Sequence, residues 1–180
     1  MIKRNNPGNI EKGKNKWIGE IESDGSRFAT FKNLVFGYRA MIKLIQTYIS
    51  RGNNTISKII PIYAPPSENP TENYIQFVTS ASGIPRNEPL EKSDLERIGK
   101  IVLAMSVFEH GLKGNEISSM KPIISDSIRI LKDPSSSSGN INNSAGTPIS
   151  PGPGPGYKPN LLDLALLAFS IWAFFQIPKK

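Results

Sequence analysis

The chain has 180 residues, no cysteine and a single histidine, His110. Disulfides, thiolate metal ligands and a cysteine nucleophile are excluded, and one imidazole is too few for a protein-only zinc site. Any Ser-His-Asp set would have to use that same residue. No glycine-rich loop has phosphate-binding spacing. The opening MIKRNNPGNIEKGKN lacks the apolar core of an export signal. The lysines are scattered without an interleaved aromatic platform, so nucleic acid is not an expected partner. No metal or organic cofactor is implied. Carboxylates are the side chains left to do chemistry.

What is present is a basic, ordinary composition up to residue 133 and an unusual one after it. Of the net charge of +7, +2 belongs to residues 134–180 and the remaining +5 to residues 1–133. A field of this size favours polyanions such as cell-wall polymers or anionic head groups without choosing among them. The length suits one domain with an appendage.

Within residues 1–133 the pattern changes from strand-like to helical. Asn6-Pro7-Gly8-Asn9 reads as a tight turn anchored by Ile10. Residues 17–22 and 27–31 alternate on either side of Ser23-Asp24-Gly25-Ser26, which predicts a β-hairpin. Tyr38, Met41, Ile42, Ile45, Tyr48 and Ile49 then fall at helical spacing. Thr55 is placed to cap a short helix carrying Ile56, Ile59 and Ile60. Residues 63–70 hold three prolines and read as a fixed loop, and residues 71–83 resume a helix with Tyr74, Phe77, Val78 and Ala81 inward.

The most strongly marked element is 93–111. Ser93 and Glu96 stand in capping-box spacing and Gly111 offers a left-handed stop. Between them Leu95, Ile98, Val102 and Met105 form a stripe widened by Ile101, Leu103, Val107 and Phe108, so this helix is expected to be buried. A last helix is expected over residues 121–132. Residues 134–160, almost entirely Ser, Gly, Pro and Asn, read as a flexible linker. Residues 161–177 form an apolar run flanked by Pro178-Lys179-Lys180, for which the expectation is a C-terminal transmembrane anchor contacting a lipid membrane, with docking into a protein groove as the alternative.

Carried past Met105, the apolar stripe of 93–111 lands on Glu109. The negative end of the helix dipole and apolar neighbours both disfavour a charged carboxylate there and suit it to hold a proton for a leaving oxygen. Glycoside cleavage needs such an acid. A protonated His110 close by would act in the opposite sense.

The run Arg4-Asn5-Asn6-Pro7-Gly8-Asn9-Ile10, with Trp17-x-Gly19, Phe28-Ala29-x-Phe31, Gly37-x-Arg39-Ala40 and Tyr63-Ala64-Pro65-Pro66-Ser67-Glu68-Asn69-x-Thr71-x-x-Tyr74, resembles a family of phage and prophage virion proteins related to lysozyme-like peptidoglycan hydrolases. The likeness covers about residues 3–112. A more distant one is to bacterial glucosaminidases and lytic transglycosylases, whose acid helix comes first, whereas Glu109-His110-Gly111 comes last here.

The resemblance implies an α+β, mainly α, lysozyme-like domain over residues 1–133, circularly permuted, with a small β-hairpin. It implies a membrane-tethered virion enzyme acting on bacterial peptidoglycan, or, as the alternative, a non-enzymatic protein linking capsid and other virion proteins to an internal membrane. Glu109 is the expected general acid. Glu20 and Glu22 are candidates for a second carboxylate. Tyr63 and Tyr74 either line a sugar groove or are core aromatics, Asn6 and Asn9 either hold their turn or bind an acetamido group, and Thr30 is a further substrate-binding candidate on the hairpin.

Overall fold

The computed structural model describes residues 2–22, 25–65 and 70–135. After a 3-10 turn, Lys3–Asn5, come two short strands, β1 (Glu20–Ile21) and β2 (Thr30–Phe31), and five helices: α1 (Leu34–Ser50), α2 (Ile56–Tyr63), α3 (Thr71–Ser82), α4 (Leu95–His110) and α5 (Asn115–Lys132). The strands are antiparallel, with Glu20 opposite Phe31 and Ile21 opposite Thr30. Residues 10–12 add to the other edge of the hairpin through Ala29 N–H to the Ile10 carbonyl and Lys12 N–H to the Arg27 carbonyl, both 2.9 Å.

α4 runs through the middle of the helical layer. Ile98, Ile101, Val102 and Met105 are fully buried, and it packs against α1, α3 and α5. Its stop is Gly111 at φ 61°, as the sequence predicts. Its start falls one residue later than the capping box suggests, because the Asp94 carboxylate, rather than Ser93, accepts the Arg97 N–H at 3.1 Å. Glu96 turns instead to Lys100 at 3.1 Å, one helical turn on.

α1 is capped by Asn33, whose side chain accepts the Phe36 N–H, and its Tyr38 hydroxyl meets Ser106 Oγ of α4 at 2.8 Å in the core. Ser106 passes its own proton to the Leu103 carbonyl, which leaves Tyr38 as the donor. Burial pushes the Tyr38 phenol up to about 12.

α5 begins six residues before the expected start and runs through Pro122, with Ile117 and Met120 continuing the buried face of Ile124 and Ile130. α2 likewise contains Pro61. The loop from α2 to α3 is drawn together by Thr71 Oγ1, which donates to the Ala64 carbonyl at 3.0 Å. Glu68 and Asn69 lie outside the described residues.

The expected fold class needs a correction. The chain is α+β and mainly helical with a small hairpin, but no helix among the described residues is long and apolar enough to cross a membrane. Each of the five presents one apolar face and spends it on its neighbours; α5, the longest, also carries Glu116, Lys121, Asp126, Arg129 and Lys132. The expected anchor at 161–177 and the linker after residue 135 lie outside the described residues.

Candidate functional site

The first turn of the chain is built to sit against α1 and the hairpin. The Asn6 side chain, 1% exposed, donates to the carbonyls of Ile10 and Ala29 and accepts the Ile10 N–H, each at 2.9 Å. Its amide is therefore spent on the fold. Asn5 donates to the Phe31 carbonyl at 3.0 Å. Gly37 of α1 lets the turn come this close, since a Cβ there would collide with the Asn5 carbonyl and the Pro7 ring. Arg4, Asn5 and Asn9 all adopt positive φ, between 47° and 57°, a region where asparagine is tolerated better than most residues. Gly8 lies under the Tyr63 hydroxyl, which donates to its carbonyl.

This turn delivers Asn9 to the end of α4. Asn9 Nδ2 donates to Glu109 Oε2 at 2.8 Å, while the Tyr74 hydroxyl from α3 donates to Oε1, also at 2.8 Å. Next to them, the ring Nε2 of His110 contacts the Asn6 carbonyl at 3.2 Å, so that nitrogen carries the proton. The half-buried Glu109 carboxylate is thus held from both sides, by groups 35 and 100 residues away in sequence.

Both tyrosines are held protonated. Tyr74 lies well above the usual phenol range, first through burial and then through the nearby Tyr63 and the Glu109 carboxylate, to which it also donates. Tyr63 is raised well above it too, by burial and then by Glu109 and Tyr48. Tyr74 therefore stays a hydrogen-bond donor to Glu109 throughout the neutral range. Its ring stacks on Phe108 with centroids 4.0 Å apart and meets Tyr63 edge-on at 6.5 Å.

Of the candidates from sequence, the structure gathers Glu109, Asn9, Tyr74 and Tyr63, with Asn6 as scaffold. The two hairpin carboxylates are engaged elsewhere: Glu20 accepts the Trp17 N–H at 2.9 Å, and Glu22, with its side chain 95% exposed, pairs with Lys16. Thr30 Oγ1 is buried without a hydrogen-bond partner among the described residues, so it does not face an open groove. Phe108 and Phe77, whose rings lie 5.4 Å apart, extend the aromatic row beside Glu109; helical spacing alone marks them only as core. Among the described residues no group of acidic or histidine side chains is arranged to hold a metal ion.

Fold and site define a mainly helical α+β domain with a carboxylate clamped between a tyrosine and an asparagine at the end of its central helix. No known family profile matches the chain. Protein P5 of Pseudoalteromonas phage PM2 is 40% identical over 115 residues, which are 61% of this chain and 70% of that protein. The chain belongs to the family of this phage protein, and the phage affiliation expected from the sequence is thereby shown.

Proposed function

We propose that the chain is a phage virion-associated enzyme that degrades bacterial peptidoglycan by cleaving glycosidic bonds of the glycan strand, with Glu109 moving the proton. The observation that carries this reading is the carboxylate at the end of a buried helix, gripped at 2.8 Å by both the Tyr74 hydroxyl and the Asn9 amide. Tyr74 is buried and keeps Oε1 in place. Asn9 is exposed and turns aside, freeing Oε2 for the substrate. Glu109, having taken a proton from solvent, gives it to the glycosidic oxygen as the C–O bond breaks, and the oxocarbenium-like centre is captured by water or by the sugar's own hydroxyl. The carboxylate then recovers the proton from that nucleophile. With Glu20 and Glu22 engaged elsewhere, one carboxylate serves as both acid and base, which favours the intramolecular capture of a lytic transglycosylase.

A second reading is supported by the same bonds. Both oxygens of Glu109 are satisfied within the protein, and together they fasten the first turn to α3 and α4, as a purely structural clamp in a virion protein would. Release of soluble fragments from purified peptidoglycan by the full-length chain, beside Glu109→Gln, separates the two. The expected result is release by the wild type and a loss of at least about a hundredfold in the variant. Release that survives the substitution removes Glu109 from the site; a folded wild type without activity supports the clamp. Anhydro ends on the fragments, seen by mass spectrometry, are expected from the transglycosylase route.

A further inference from the structure

The glycan-cleaving reading leaves the last residue of α4 unused. His110 follows Glu109, is half-buried, and donates from its ring Nε2 to the Asn6 carbonyl at 3.2 Å. The same carbonyl accepts the Asn9 N–H at 3.3 Å, the bond that closes the turn at residues 6–9. A carbonyl oxygen has two lone pairs, so both donors are accommodated. At the other end of that turn, the Asn9 side chain donates to Glu109 at 2.8 Å. Successive residues of α4 therefore hold the two ends of one turn, Glu109 through a side chain and His110 through the backbone.

We propose that His110 is a positioning residue, which keeps this turn seated on α4 so that the Asn9 amide stays in register with the Glu109 carboxylate. The proposal rests on the glycan-cleaving reading, in which Asn9 turns aside to free Oε2. At that moment the Asn9 link to α4 is broken, whereas the His110 link ends on a backbone atom and persists. The movement is then a rotation of one side chain, and the amide can return to the same place. Asn6 and Tyr63 tie the turn to the hairpin and to α2; His110 sets its distance from the helix that carries the acid. The contact does not depend on charge, because Nε2 is a donor both in the imidazolium and in the neutral tautomer protonated there.

The test uses the full-length chain with two substitutions that remove the donor, His110→Leu and His110→Ala, and one whose side-chain amide can replace it, His110→Gln. Two readouts are taken: initial rates of fragment release against peptidoglycan concentration, and the side-chain amide signal of Asn9 by NMR of isotope-labelled protein, identified by its loss in Asn9→Ala. Thermal unfolding checks the fold. Removing the donor is expected to move the Asn9 signal to the position of a free amide and to lower the maximal rate about tenfold, with half-saturation kept within about twofold. His110→Gln is expected to return both towards wild type. An unchanged Asn9 signal in a folded variant without the donor overturns the proposal, as does an unchanged maximal rate in an active enzyme. If the wild type releases no fragments, the cleavage reading fails, and the Asn9 signal alone decides: a shift supports the positioning role, and no shift overturns it. If neither variant without the donor folds, the contact serves stability and the positioning role is overturned.

Discussion

Asn6 and Asn9 are three residues apart in one turn and have opposite employments. Asn6 makes three internal hydrogen bonds and is almost wholly buried; Asn9 is exposed and gives its amide to Glu109. Replacing Asn6 with Ala strands the Ala29 carbonyl and the Ile10 N–H, while the Ile10 carbonyl keeps the Ala29 N–H, and is expected to lower stability by about 3 kcal/mol in urea unfolding, given roughly 1–3 kcal/mol for each buried group left unpaired. Tyr74→Phe keeps the stacking on Phe108 and removes the donor to Oε1. Its stability should fall by only about 1 kcal/mol, while fragment release should fall by roughly tenfold or more as the carboxylate loses its fixed orientation. The sequence marks all these residues as candidates because their types suit sugar chemistry. It does not separate scaffold from site, since the difference lies in contacts with Ala29, far along the chain, and with Glu109, farther still.

For the elements, apolar periodicity was enough to place all five helices, because each buries one face in a common core. Their ends are less evident. Ser93 and Asp94 are both good caps, and only the geometry of the preceding loop selects Asp94. The last helix is expected from residue 121, yet α5 starts at Asn115 and carries Pro122 in its interior, where Ile117 and Met120 gain burial on the same face. The contact least visible from sequence is that of the first turn with α1, which depends on Gly37. Gly37→Ala would drive a methyl into the Asn5 backbone and the Pro7 ring. A loss of at least about 2 kcal/mol is expected in denaturant unfolding.

For the whole molecule, four phenols among the described residues are raised by burial: Tyr38 to about 12, Tyr63 and Tyr74 well above their ordinary value, and Tyr48 in the same direction, opposed in part by Arg51. The unfolded chain releases these protons near pH 10, before the folded chain does, so the stabilisation is complete below pH 10 and is lost as pH rises beyond it. Each such tyrosine contributes a slope of up to about 1.4 kcal/mol per pH unit. The urea midpoint should therefore fall steeply above pH 10, and Tyr38→Phe should flatten that fall. The two-stranded sheet and helical layer were legible in the alternation and the 3.6-residue periods. The apolar run at 161–177, for which a membrane helix is expected, lies outside the described residues.

The bond between Asn9 and Glu109 closes a loop of 100 residues. Local helices can form early during synthesis, but this contact cannot exist until the chain has been extended through α4 and folded back onto its own beginning. The clamp therefore ties the start of the chain to the end of α4, and a chain without its first ten residues keeps Glu109 but lacks Asn9.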